Sequence, residues 1–291
     1  MKVLITGNNG QVARELQLIL AGKAEVVALG RDRLDLAQPE LIRQQIRAQS
    51  PDLLINAAAY TAVDQAESEP EAAFAINATA PGVLAEEAAA LGIPLFHYST
   101  DYVYDGDKPA PYHEDDPTNP LGAYGRSKLA GEQAIRAVGG AYLILRTSWV
   151  YSLHGRNFLL TMQRLLQERE ELRVVDDQIG APTWAGSIAQ ATAQLVEKWQ
   201  AGNRNWGVYH LTNQGETSWF GFASAIADQL RAEGKPCARL VAIPSSEYPT
   251  PTKRPLNSRL DGSKLAQDWQ VRLPDWRSAL AECLGDTRPH T

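Results

Sequence analysis

Val3-Leu4-Ile5-Thr6-Gly7-Asn8-Asn9-Gly10-Gln11-Val12-Ala13 carries a short apolar run into a glycine turn and on into an amphipathic segment. The run is too short for the apolar region of a secretion signal and reads instead as a buried strand. A first strand that passes through glycines into a first helix is the context that a dinucleotide-binding turn needs. Gly7 allows the tight turn, Gly10 lets the backbone approach a pyrophosphate at the helix N-terminus, and Ala13 is small enough for close packing of helix on strand. On its own, the same stretch is equally well read as a plain glycine turn.

From this stretch onward, short apolar runs recur at Val3–Ile5, Val26–Leu29, Leu53–Asn56, Leu95–Tyr98 and Tyr142–Arg146. Near-continuous apolarity of this kind suits parallel strands covered on both faces. Helices are predicted between them at Val12–Ala21, Pro39–Gln49, Pro70–Leu91 and Gly122–Val138. This alternation predicts an α/β fold with a doubly wound parallel sheet. Beyond Trp149 the rhythm loosens: helices are predicted at Asn157–Glu168 and Ile188–Gln200, strands at Leu172–Val175 and Val208–Leu211, and a proline-punctuated remainder reads as a smaller lobe. The expected division is a nucleotide-binding domain over 1–150, completed by about 182–212, with 151–291 contributing a smaller, interleaved α/β substrate lobe.

The 291 residues are 44% hydrophobic with a formal net charge of −6, and no basic run is interleaved with aromatics. Such a chain is long enough for a sizeable core and lacks the electrostatic footprint of a nucleic-acid binder. No apolar stretch approaches the 18 or so residues that span a bilayer. Cys237 and Cys283 show neither metal nor redox spacing and are expected to be packed or idle thiols, so a cytoplasmic location is expected. The five histidines have no metal-ligand spacing; His97 is expected to be a satisfied strand residue and His290 part of a frayed tail.

Chemistry concentrates in three further places. Tyr124 and Lys128 are four residues apart in a predicted helix and therefore share a face, where an ammonium lowers a phenol's pKa and prepares it as a proton donor. Ser99-Thr100-Asp101-Tyr102-Val103-Tyr104 follows a strand at the sheet edge where doubly wound folds bind ligands, and Thr100 is placed to hydrogen-bond an oxygen that Tyr124 protonates. Asn56-Ala57-Ala58-Ala59 ends another strand with side chains small enough for a cofactor to lie against the backbone. About twenty residues past the glycine turn, Arg31 suits the 2'-phosphate of NADP(H), Asp32 keeps NAD(H) open, and Asp35-Leu36 is placed to border the adenine.

Together, Gly7-x-x-Gly10, Ser99-Thr-Asp101 and Tyr124-x-x-x-Lys128 resemble the extended short-chain dehydrogenase/reductases. Asn56-Ala-Ala-Ala-Tyr-Thr-Ala-Val-Asp64, Asp177-Gln-x-Gly-x-Pro-Thr183, Gly207-Val-Tyr-His210 and Lys253-Arg-Pro-x-Asn-Ser258 narrow that resemblance to the dTDP-4-dehydrorhamnose reductases over nearly the whole chain. The resemblance implies a Rossmann-type fold and reduction of the C4 ketone of a dTDP-sugar, dTDP-4-dehydro-L-rhamnose, by NADPH or NADH. It implies Tyr124 as proton donor, Lys128 as its electrostatic partner and ribose anchor, and Thr100 as a tuning hydrogen bond. The implied cofactor residues are Gly7, Asn9, Gly10, Gln11, Val12, Arg31, Asp35, Leu36, Ala57, Ala58, Ala59 and Tyr60, with Tyr124 and Lys128. Thr61, Val63, Thr100, Asp101, Tyr102, Tyr124 and Trp149 are implied at the sugar.

Some members of the family form a magnesium-bridged dimer through glutamates. Glu15 is present, but no carboxylate stands around Gly186, so no metal site and a monomer or weak homodimer are expected. Nucleotide-sugar dehydratases share the turn and the triad but follow Thr-Asp with a glutamate, where this chain has Tyr102. A related epimerase, or a non-catalytic NADP-binding regulatory subunit, fits the same motifs.

Overall fold

The computed structural model describes residues 1–285; His290 lies outside the described residues. Strand β1 (Lys2–Thr6) leads through the glycine turn into α1 (Gln11–Leu20), followed by β2 (Glu25–Leu29), α2 (Pro39–Gln49) and β3 (Leu53–Asn56). Proline opens α2 at a position where its missing N–H costs nothing. Next come α3 (Pro70–Phe74), α4 (Ala80–Leu91), β4 (Leu95–Thr100), α5 (Ala123–Val138) and β5 (Tyr142–Thr147).

The helix predicted as one piece over 70–91 contains a π-helical turn at Ala75–Thr79 between α3 and α4. Pro81 supplies the reason. Its nitrogen cannot donate to the Asn77 carbonyl four residues back, so the turn widens there. The bulged carbonyl presses on α5 at Gly131, where a Cβ would come within 2.0 Å of it.

The second half comprises β6 (Val150–Tyr151), α6 (Phe158–Glu168), β7 (Glu171–Val175), β8 (Ile179–Gly180), β9 (Thr183–Trp184), α7 (Ala185–Gln200), β10 (Gly207–His210), β11 (Thr217–Ser218), α8 (Trp219–Ala232), β12 (Arg239–Ile243), β13 (Asn257–Ser258), α9 (Ser263–Trp269) and α10 (Trp276–Gly285). Strand β10 returns to the sheet beside β5, giving a six-stranded order β10-β5-β4-β3-β1-β2. Every neighbouring pair in it is parallel.

One face of this sheet is covered by a core of α1 and α7 residues such as Leu16, Leu20, Ile188 and Leu195, extended by Leu265 and Trp269 of α9. The other is covered by Ile42, Ile46, Leu84 and Ile135 from α2, α4 and α5. A separate core gathers Leu159, Phe222, Ile226, Trp276 and Cys283 in the second lobe, where β7 and β12 pair in parallel. Burying apolar side chains of this size contributes about 1.5–3 kcal/mol each before entropy is counted. Among the described residues no helix is long and apolar enough to cross a membrane.

Candidate active site

Because all six strands run the same way, the carboxyl ends of β1, β3, β4 and β5 open on one edge of the sheet. At the end of β1, Gly7 has φ +82, a left-handed conformation that glycine adopts without strain. A Cβ on Gly7 would crowd Ala58 at 3.3 Å, so the 57–59 segment closes beneath the turn. In front of Gly10 the space is open: an added Cβ would meet nothing nearer than the Ala57 carbonyl at 3.9 Å. Helix α1 has neither a side-chain cap nor an acidic residue in its first turn. Its N-terminal N–H groups and the positive end of its dipole suit a pyrophosphate. The cradle therefore fits a dinucleotide.

The other cofactor candidates spread outward from this turn. Arg31 and Asp32 are exposed beyond β2, and Asn9 is exposed on the turn itself. Asp35 accepts hydrogen bonds from the Ala37 backbone at 3.0 Å and from Gln38 at 3.2 Å, which hold its carboxyl below the ordinary range. Leu36 packs in the core with Leu34 and Ile42 instead of standing open at the surface. Val12 is half-buried against the opposite core. The Gln11 carboxamide oxygen accepts from Ser152 at 3.1 Å and Asn157 at 2.8 Å, tying the turn to the second lobe. The Tyr60 backbone is held from both sides by Asn77, whose oxygen accepts from its N–H at 2.9 Å and whose amide donates to its carbonyl at 3.0 Å.

The other end of the candidate site is a side-chain construction. Strand β4 runs two residues beyond its predicted end, so that Thr100 closes it and accepts from the Tyr102 N–H at 3.2 Å. Helix α5 begins where the Ala123 N–H donates to Glu67 at 2.7 Å, and Gly125 fits directly beneath the Tyr102 carbonyl, where a Cβ would stand at 2.2 Å. That close approach brings Tyr124 edge-on to Tyr102, with ring centroids 5.5 Å apart.

Burial raises the Tyr124 phenol above its ordinary value; the Thr100 hydroxyl opposes this and the Asp101 charge adds to it. The sequence-level expectation that Lys128 depresses the phenol is not what this geometry shows. The Lys128 ammonium is drawn instead to the Tyr98 carbonyl, to which it donates at 2.7 Å. Burial pulls Lys128 down to about 8, against the attraction of Glu132 one turn further along α5.

Asp101 is 3% exposed. Its Oδ1 accepts from Thr100 at 3.1 Å, while among the described residues Oδ2 has no hydrogen-bond partner of good geometry. Burial pushes its carboxyl up to about 6 although the Ser258 and Thr100 hydroxyls pull it down. Thr61 is exposed and Val63 half-buried on the loop after β3.

Trp149 adopts φ +49, unusual for a non-glycine residue, and stacks on Trp219 with centroids 3.6 Å apart. The stack lies over Gly180, where a Cβ would come within 2.7 Å of the Trp149 indole. Sequence reading missed Trp219, because only the tertiary fold brings the start of α8 here. It also left Arg254 and Asn77 without roles. Arg254 donates to Asp64 at 2.7 Å and to the Tyr102 hydroxyl at 3.4 Å, strapping the 252–258 segment across the loops that follow β3 and β4. Arg254 lies inside the quoted Lys253–Ser258 motif, the one signal that pointed to it.

Beneath the site, Arg146 of β5 donates to both oxygens of Glu132, at 2.9 and 2.6 Å, and to Tyr104 at 2.6 Å, while Ser99 donates to Glu132 at 2.5 Å. Glu15 is buried on α1, and a Cβ at Gly186 would meet the Trp184 indole at 2.3 Å. Among the described residues no cluster of three or more His, Cys, Asp or Glu is arranged to hold a metal ion.

A six-stranded parallel sheet, a glycine cradle at its first turn and a Thr/Tyr/Lys set on the same edge define an extended short-chain dehydrogenase/reductase. Within that class, residues 1–288 match the family described as RmlD substrate binding domain. The chain is 50% identical to a dTDP-4-dehydrorhamnose reductase of Burkholderia thailandensis, over 98% of this chain and 99% of the relative. It is 43% identical to a dTDP-4-dehydrorhamnose reductase of Escherichia coli K12, over 98% of each. A solved dTDP-4-dehydrorhamnose reductase of Bacillus anthracis in complex with NADP superposes with a TM-score of 0.91 at 34% identity, covering 97% of this chain and 98% of that one. The chain belongs to this family, that of the dTDP-4-dehydrorhamnose reductases.

Proposed function

We propose that this chain reduces the C4 ketone of dTDP-4-dehydro-L-rhamnose with NADPH or NADH, forming dTDP-L-rhamnose. The observation that carries the reading is the Thr100–Tyr124 pair, set on the same sheet edge as an open cradle beside Gly10. Family membership narrows the ketone to that of the nucleotide sugar.

When bound, the cofactor supplies a hydride to the carbonyl carbon. The chain's residues do the rest. The Gly7–Val12 turn and the α1 N-terminus take the pyrophosphate, with Ala57–Tyr60 as a floor and Arg31 toward a 2'-phosphate. Tyr124 gives its proton to the C4 oxygen while Thr100 hydrogen-bonds that oxygen and fixes its direction. A phenol kept protonated by burial holds its proton until charge develops on the substrate oxygen. Lys128 anchors the cofactor ribose and restores the proton to Tyr124. Thr61, Val63, Asp101, Tyr102 and Trp149 border the sugar, whose C6 methyl gains from an apolar wall in a way that a hydroxyl would not. Tyr102 beside Asp101 leaves elimination without a second carboxylate, which favours simple reduction. Residues 1–150, completed by about 182–212, bind the cofactor and the remainder binds the sugar nucleotide; the enzyme acts without a metal bridge, as a cytoplasmic monomer or weak homodimer.

Incubating the purified protein with NADPH and dTDP-4-dehydro-L-rhamnose should consume NADPH and release dTDP-L-rhamnose. Cofactor binding without turnover would instead favour a regulatory subunit.

A further inference from the structure

His97 is a fully buried imidazole that the reaction as described does not use. It belongs to a row of polar side chains that crosses three neighbouring strands. At the end of β1, the Thr6 hydroxyl accepts from the Ala58 N–H at 3.3 Å and gives its own proton to the Asn56 carboxamide oxygen at 2.5 Å. Asn56, at the end of β3, thereby turns its NH2 toward His97 Nδ1, 2.8 Å away. On β4, His97 brings Nε2 to 3.4 Å from Lys128 Nζ.

Hydrogen-bond accounting gives the row a direction. Burial holds the imidazole neutral, far below its ordinary value. A neutral ring has one donor and one acceptor. Since Nδ1 accepts from Asn56, the proton sits on Nε2 and points at the lysine nitrogen. An ammonium there has only N–H groups to offer, so N–H faces N–H. A neutral amine would turn its lone pair to the ring and complete the chain of donors. Glu132 on the same helix favours the ammonium, but its oxygens are already held by Arg146 and Ser99. The Tyr98 carbonyl accepts from either form, and Tyr124 stands one turn back along the helix.

We propose that His97 is a positioning residue that favours the neutral amine of Lys128, through a one-way donor row running Thr6 to Asn56 to His97. The proposal rests on the reductase reading for its consequence. When Tyr124 gives its proton to the ketone oxygen, the phenolate is restored by a proton from Lys128, directly or through an intervening hydroxyl. The N–H bond of the ammonium breaks and the phenol O–H forms. Lys128 is left as an amine, which accepts from His97 until solvent returns the proton. The row is thus complementary to the state that proton transfer creates and not to the state before it.

Two variants test it. Asn56→Asp cannot donate to Nδ1, so the ring carries its proton on Nδ1 and offers a lone pair to the ammonium; His97→Gln removes the ring while keeping a polar side chain in the row. The titration of Lys128 is read without catalysis, by NMR of protein labelled at the lysine Cε. In both variants it should move upward by about one unit, and the alkaline limb of kcat should move with it, with NADPH affinity changed less than threefold. A uniform fall in kcat with an unmoved Lys128 titration, in protein that folds, would overturn the proposal and leave His97 a packing residue. Failure of the wild type to turn over the dTDP-sugar would overturn the reductase reading alone, because the NMR titration does not depend on it.

Discussion

The two ends of the active cleft are built in opposite ways. The cofactor cradle is made of backbone and small residues: Gly7 in a left-handed conformation, open space before Gly10, three alanines beneath, and an α1 N-terminus without a side-chain cap. The catalytic end is made of polar side chains that hold one another, with Thr100, Asp101 and Ser99 each buried and Arg146, Glu132 and Tyr104 locked together below them. A cradle of backbone accommodates a large polyanion with little reorganisation. A network of side chains instead fixes a few atoms tightly, and each member is costly to lose because its partners remain buried.

The largest loss is expected below the site. Arg146→Met leaves Glu132 as a buried charge without its main partner and should destabilise the protein by about 3–5 kcal/mol, measured by denaturant unfolding. The exposed Lys23–Glu197 pair, by contrast, is worth about 1 kcal/mol at most. Next in size, Tyr124→Phe removes the proposed proton donor and should lower kcat by on the order of 10²-fold or more, with NADPH affinity nearly unchanged in a binding titration. Wild-type turnover in that variant would remove Tyr124 from the mechanism.

Asp101 is a side chain whose burial costs stability. Folding raises its carboxyl from 3.8 to about 6, so the penalty of burying its charge is absent below the lower value and complete above the upper one. Asp101→Asn should therefore stabilise the protein at pH 7.5 by on the order of 3 kcal/mol while impairing reduction, and the gain should vanish in thermal melts near pH 3. The smallest effect belongs to the cradle. Arg31→Ala should weaken NADPH by about tenfold, or roughly 1.4 kcal/mol, and leave NADH untouched; equal losses for both cofactors would show that Arg31 does not read the phosphate.

The same contrast explains what was legible in the sequence. Glycine turns, alanine runs and apolar strands announce themselves locally, so the cradle and the parallel sheet could be read from the chain. So could the spacing of Tyr124 and Lys128. What Lys128 points at could not, because the Tyr98 carbonyl and His97 reach it only when β4 packs on α5. The Trp149–Trp219 stack joins residues seventy positions apart, and the Asp64–Arg254 bridge joins residues 190 positions apart. The π-helical turn had a local cause in Pro81, but helical periodicity continues through it, and only the pressure of Asn77 on Gly131 reveals its place.

The return of β10 to the sheet also shapes how the protein is made. Strand β5 is complete at Thr147, yet the strand that pairs with its outer edge begins only at Gly207. During synthesis the apolar Leu143–Leu145 stretch must wait with an open edge while β6 through α7 leave the ribosome. For that interval the nascent chain carries the kind of unpaired strand that invites a neighbour to join it. Slow translation between these points, or high polysome density, should therefore raise co-translational aggregation until the edge passes to β10, the end strand of the finished sheet.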